Sequence, residues 1–201
     1  MNKQVIIALS REYGSGGHYI AEKLAKELDI LLLDHNMLDQ ISVEKGFSLE
    51  VLKKYDEAPK KAFVSRTIRG MSNSIEENIA KIQFDYIKEK ADEGNSMIVV
   101  GRCGEYVLKE YASLISIFIT GDMDDKIKRI MKVRNMDEND ASKAIARHDI
   151  KRKMYHNCYV DTKWGDSRYY DLCINSSKLG LEQTVEVLKD YIIRRSEGKG
   201  C

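Results

Sequence analysis

The chain has 201 residues, 43% apolar and 32% charged, with 33 basic side chains against 32 acidic ones. That length supports one domain with a substantial core, and a net charge of +1 gives no general affinity for nucleic acid or anionic membranes. No apolar run approaches the roughly 18 residues of a membrane span and no secretory leader is recognisable, so the expectation is one cytoplasmic domain without membrane or bulk nucleic-acid partners.

The first predicted element is a strand, Val5 to Leu9, short and rich in branched side chains. The stretch SREYGSGGHY follows at 10–19, and then Ile20, Leu24 and Leu28, with Ala21 and Ala25 beside them, form one apolar helix face. A second strand, Ile30 to Asp34, completes a βαβ unit of right-handed sense. A glycine-rich turn between strand and helix exposes main-chain N–H groups at the positive end of the helix dipole. Gly14, Ser15, Gly16 and Gly17, with His18 and Tyr19 entering the helix, are therefore candidates for holding a nucleotide's phosphates; the plainer reading is a tight turn. Asp34 ends the second strand, where open α/β sheets place ligand groups. It is a candidate for magnesium or substrate contact, and equally for capping a helix that begins near Asn36.

From 35 to 95 no strand-like run occurs, which predicts several helices, the last from about Ser72 to Glu93 and ended by Gly94. Strands follow at Met97 to Gly101 and Leu114 to Thr120, then a helix capped by Asp122 that carries Met123, Ile127, Ile130 and Met131 on one side. A second helical excursion spans about 136–160. A fifth strand, Asp171 to Asn175, a closing helix marked by Leu181, Val185, Leu188 and Ile192, and a frayed tail complete the chain. Short strands alternating with helices predict a parallel sheet covered on both faces, with its core in 1–34, 96–135 and 161–195. Cys103, Cys158, Cys173 and Cys201 stand apart, and His18, His35, His148 and His156 show no ligand spacing, which argues against zinc. On the second excursion Arg147 and Lys151 share a helix face while Arg152 and Lys153 project elsewhere, a broad stripe of the kind usually solvated. Tyr159, Trp164, Tyr169 and Tyr170 offer either a platform for a base or the packing of a loop.

Four stretches carry a resemblance: SREYGSGG at the turn, VVGRCGEYVL at 99–108, IARHDIKRKMY at 145–155 and KWGDSRYYDLCINSSKLGLEQ at 163–183. Together, and in this order, the chain resembles the cytidylate kinase-like proteins among the P-loop nucleoside monophosphate kinases. The resemblance implies a three-layer α/β P-loop kinase fold: a five-stranded parallel sheet, a helical monophosphate-binding insertion at about 35–95 and an arginine-rich lid at about 136–160. It also implies ATP as donor, Mg2+, and transfer of a phosphoryl group to a nucleoside monophosphate, CMP or dCMP first. A non-catalytic nucleotide-binding protein and a kinase of another small-molecule acceptor stay open.

Set on the pattern of bacterial cytidylate kinase, Gly17 falls at the phosphate-loop lysine, Tyr19 at the hydroxyl that holds magnesium, and Arg11 at the first loop glycine. Val100 replaces the acid of its DGR segment. Arg11 is accordingly the candidate to return the missing cation, the alternative being a surface arginine. Arg102 matches the arginine on the acceptor phosphate, and Arg147 and Arg152 match lid arginines, with Asp149 at a lid acid and Ile150 a departure. Ser176 and Lys178 fall in the donor-base loop, and Gln40 stands where that family has an arginine. Arginines suit such a site because a planar fork stays charged and binds phosphate at two points. No long apolar stripe advertises an oligomer interface.

Overall fold

The computed structural model describes residues 3–56, 58, 67–68, 71–72 and 74–198. Strand β1 (Ile6–Arg11) leads through the glycine turn into helix α1 (Gly17–Leu28), and β2 (Leu31–Leu33) follows. Helices α2 (Met37–Lys45) and α3 (Leu49–Lys54), a small hairpin of β3 (Thr67–Ile68) and β4 (Met71–Ser72), and helix α4 (Ile75–Asp92) lead to β5 (Met97–Val100). The chain then runs through α5 (Gly104–Val107), β6 (Leu114–Thr120), α6 (Met123–Arg134) and α7 (Glu138–Tyr159) to β7 (Leu172–Asn175), α8 (Ser176–Leu179) and α9 (Leu181–Glu197).

The five long strands form one parallel sheet in the order β2-β5-β1-β6-β7. Side chains alternate between its faces. Ile6, Met97 and Val99 join one core with Met37, Ile87 and Leu108, while Ile7, Ile98 and Ile117 join another with Ile20, Leu24 and Leu188. Two apolar faces need two helical layers, which is why the strands read as continuous apolar runs. Helices α1 and α9 pack against each other on one face, and α2, α4 and α5 lie on the other. This is the three-layer arrangement that the resemblance implies, with β1 central and its C-terminal end at the middle of the sheet's ligand edge.

Three local readings differ from the sequence. The β3–β4 pair, Thr67 opposite Ser72 and Ile68 opposite Met71, lies in the stretch expected to be helical, because a two-residue ladder leaves no periodic signature. Helix α4 starts at Ile75, where Ser74 Oγ accepts from the Glu77 N–H at 3.4 Å. Asp122 does sit at the N-terminus of α6, but its carboxylate accepts from Asn175 Nδ2 at 2.7 Å and Lys178 Nζ at 2.6 Å instead of capping the helix. Among the described residues no helix is long and apolar enough to cross a membrane.

Candidate active site

The phosphate-loop candidate is built by β1 and α1. The Ser15 hydroxyl donates to the Glu12 carbonyl at 2.9 Å, turning inward, and Gly14 and Gly16 adopt left-handed backbone at φ 85° and 82°. Gly16 is required twice over, because a Cβ there would also lie 2.4 Å from Leu181 Cδ2 of α9. No side chain caps α1 and no acid lies in its first turn. Its first amides thus keep their positive potential for an anion.

Gly17 explains the missing lysine. A Cβ built on it would stand 2.6 Å from Arg11 Cβ and 2.9 Å from Arg11 Cγ. The stem of Arg11, rising from the end of β1, fills the space where a side chain at position 17 would begin. The two residues have exchanged size: bulk and charge come from the strand, and the helix yields.

Beside the loop lies a cleft of about 450 Å³. Its walls carry six cations, Arg11, Arg102, Arg129, Arg134, Lys151 and Arg152, against the acids Glu12 and Asp56. Several of these cations are positioned by main-chain oxygens. Arg152 Nη1 donates to the Arg11 carbonyl at 3.1 Å, Lys151 Nζ to the Asp56 carbonyl at 3.1 Å, and Arg129 Nη1 to the Gly14 carbonyl. A neutral carbonyl orients a cation without cancelling its charge. Burial holds Arg129 below the usual arginine value.

Helix α7 crosses this cleft. His148 stacks on Tyr13 with ring centroids 4.1 Å apart and planes 11° from parallel, and the Arg152 guanidinium lies 5.7 Å from the same ring. Asp149 Oδ1 accepts from the Tyr13 N–H at 2.6 Å, and its other oxygen lies 3.8 Å from Lys126 Nζ. Lys126, almost fully buried, also pairs with Glu12 at 2.9 Å. Burial raises the Asp149 carboxyl above its usual range, opposed by the Tyr13 amide and Lys126. The cations around His148 and its burial push that imidazole the other way, burial contributing most.

Arg102 follows β5 on strained backbone: Gly101, Arg102 and Cys103 all have positive φ, 77°, 55° and 53°. Left-handed backbone at a non-glycine residue costs about 1–3 kcal/mol, and here it returns a buried guanidinium to the cleft. Arg102 Nη2 pairs with Asp56 Oδ2 at 2.8 Å. Asp34, 3% exposed at the end of β2, gives Oδ1 to the Asn36 N–H at 2.8 Å, as a helix-leading acid does. Its Oδ2 is buried without a hydrogen-bond partner. His18 Nδ1 and His35 Nδ1 face that oxygen at 3.6 and 3.2 Å.

The structure brings Arg11, Gly14, Gly16, Gly17, His18, Arg102 and Arg152 of the sequence-selected residues to the cleft. It places others elsewhere. Arg147 is exposed on α7, outside the cleft lining; His148, Lys151 and Arg152 line it instead. The Tyr19 hydroxyl bonds Glu182 on α9. Ser176 is buried, donating to the Ser15 carbonyl at 2.6 Å and the Thr120 carbonyl at 3.1 Å, so it braces the loop from beneath. Lys178 is exposed and paired with Asp122. Trp164 and Tyr170 pack on Phe118, at centroid distances of 5.2 and 5.1 Å, and Tyr159 on Tyr155 and Phe84, which is the loop-packing alternative. Sequence reasoning missed Tyr13, Lys126 and Asp56. A tyrosine inside a glycine turn was the one available signal.

Comparison with known proteins agrees with this fold. A model of the cytidylate kinase-like family matches residues 6–178. A cytidylate kinase of Staphylothermus marinus is 27% identical over 191 residues, 94% of this chain and 96% of its own, and one of Pyrococcus horikoshii is 26% identical over 192 residues, 94% and 88%. An uncharacterized protein from Eubacterium ventriosum of known structure is 36% identical, with a TM-score of 0.75 over 94% of this chain and 99% of that one. Shikimate kinase from Bacteroides thetaiotaomicron, 13% identical with a TM-score of 0.55 over 94% and 98%, shares the fold.

Proposed function

The chain belongs to the cytidylate kinase-like family, and from that premise we propose that it transfers the γ-phosphoryl group of ATP to a nucleoside monophosphate, CMP or dCMP being the first acceptors to test. The single observation that carries this reading is the cleft of six cations beside an uncapped glycine turn. Phosphoryl transfer needs in-line positioning and stabilisation of charge on the moving group more than covalent help, and fixed cations in a cleft supply both.

In this reading the amides of Gly14 to Gly17 seat the donor phosphates, and Arg11 supplies the charge that a loop lysine gives in other P-loop kinases. Arg102 receives the acceptor phosphate, which replaces its contact with Asp56. Arg152 and Lys151, held over the loop by α7, neutralise charge as it develops, and Arg147 is assigned a secondary role at the outer surface. Segment 35–95 acts as the monophosphate-binding insertion and 136–160 as the lid.

Magnesium fits this site through one residue. Asp34 Oδ2 is a hard oxygen, buried and lacking a hydrogen-bond partner, of the kind Mg2+ takes together with water and phosphate oxygens. Magnesium, when bound, would screen the donor phosphates; the chain's own part is to fix the carboxylate, which the Asn36 amide does.

A coupled assay of ADP release with ATP, Mg2+ and a panel of nucleoside monophosphates tests the proposal. Turnover highest with CMP or dCMP is expected. Tight ATP binding without turnover on any acceptor would support the non-catalytic reading, which the absence of a lysine at 17 and an acid at 100 favours.

A further inference from the structure

We propose that His18, Asp34 and His35 form a binding site for a first-row transition dication of the zinc type, selective against magnesium. The three side chains come from the first turn of α1 and the end of β2, and one donor atom from each lies within 4.8 Å of the other two. Three features of their arrangement carry this beyond a chance cluster.

The first is the orphaned oxygen. Asp34 is 3% exposed, yet Oδ2 accepts no hydrogen bond, although two imidazole nitrogens stand 3.6 and 3.2 Å away. A buried carboxylate oxygen left unsatisfied is costly. The nitrogens face the oxygen without bonding it, as donors around a common centre do. Ligands at about 2.1 Å from a tetrahedral ion stand about 3.4 Å from one another, and the two spacings bracket that value.

The second is the supporting shell. Metal-bound imidazoles usually present their other nitrogen to a carboxylate, which fixes the ring. Glu22 Oε1 lies 3.4 Å from His18 Nε2, one turn further along α1. Asp34 is fixed in its turn, because Oδ1 is held by the Asn36 amide at 2.8 Å. The third is access: His18 and His35 both line the cationic cleft, so an ion held by them would be reached from it. Three protein ligands with an open position are the pattern of reactive zinc sites.

The donor set decides the ion. Two imidazoles and one carboxylate suit zinc and its neighbours, whereas magnesium takes oxygen almost exclusively. The histidines lie far apart in sequence, so their spacing argued against zinc; the βαβ turn brings them together. This assignment competes with the magnesium contact proposed above, since both claim Asp34 Oδ2, and it is tested without nucleotide.

The full-length chain, stripped with chelator, is titrated with Co2+ and Zn2+. One equivalent of Co2+ should give d–d absorption bands, displaced by one equivalent of Zn2+ but not by a hundredfold excess of Mg2+. Both histidines are solvent-exposed, so His18→Ala and His35→Ala should fold normally, as circular dichroism without metal will check. Each should weaken Zn2+ binding at least 100-fold, and Glu22→Ala about 10-fold. Failure to bind Co2+ or Zn2+, displacement by equimolar Mg2+, or unchanged affinity in the folded double histidine variant would each overturn the site. Kinase activity enters none of these readings.

Discussion

Gly17 lacks a side chain because Arg11 occupies its place, and this exchange makes a prediction that a surface arginine does not. Arg11→Ala should lower kcat by about 10²–10³-fold, the usual loss for a fixed group that stabilises developing charge. Gly17→Lys should fail for steric reasons, since its Cβ would sit 2.6 Å from that of Arg11. Arg11→Gly combined with Gly17→Lys should recover activity, because it returns both bulk and charge to the helix side. Unchanged turnover in a folded Arg11→Ala variant would remove Arg11 from the mechanism. At the same scale His148 gives a pH signature. Its imidazole lies below the ordinary value of 6.5, through burial first and then Arg152, Arg147, Lys151 and Arg134. The unfolded chain therefore binds this proton more readily, so the contribution to stability is complete above 6.5 and is lost as pH falls below it. Urea midpoints should fall on acidification from about pH 7.5 to about 5.5. His148→Phe, which keeps a ring for Tyr13, should flatten that decline, whereas an unchanged slope would place the titration on another group.

Helix α7 shows why an element can be legible while its role is not. Its 22 residues extend about 33 Å at 1.5 Å per residue, and no single apolar stripe runs along them. Ala141 and Ile145 pack on Ile130 of α6, Tyr155 joins the core beneath the sheet, and the middle stands over the loop. Each end buries a different face against a different partner, so periodicity reads as polar all round. The resemblance located this segment, but spacing alone paired Arg147 with Lys151, whereas the helix presents His148, Lys151 and Arg152 to the cleft. Its C-terminal end is pinned by a buried pair, His156 Nε2 and Glu105 Oε1 at 2.7 Å. Removing Glu105 takes the partner from His156 Nε2, while Nδ1 keeps Asn157 Oδ1 at 3.1 Å. Glu105→Ala, which leaves His156 Nε2 buried without that partner, should cost about 2 kcal/mol in denaturant unfolding, with Glu105→Gln recovering part of it. A loss under about 1 kcal/mol would show that apolar packing alone holds this end of α7.

For the molecule as a whole, the sheet was legible because a buried parallel strand has nowhere to put polar residues. All five long strands lie within a residue or two of their expected ends, and β1 exposes almost nothing from Ile6 to Ser10. The candidate cleft was legible where charge and backbone freedom had to be encoded locally, as Gly14, Gly16, Gly17, Arg11 and Arg102 line it. It was not legible where residues distant in sequence meet, as His18 does with His35 or Asp56 with Arg102 and Lys151. Ser176 is a further case: the resemblance put it in a donor-base loop after β7, and the folded chain has its hydroxyl donating to the Ser15 carbonyl.

The exchange at the loop also sets what covalent reagents can find. A nucleotide bearing an electrophilic acyl group on its terminal phosphate labels amines, and a guanidinium is inert to it. Among the described residues, the cleft beside the glycine turn is lined by the guanidinium groups of Arg11, Arg102, Arg129, Arg134 and Arg152, and the one amine lining it belongs to Lys151. With nucleotide bound as proposed, acylation would therefore report on the overlying helix at Lys151, and a lysine-directed survey would pass over the loop.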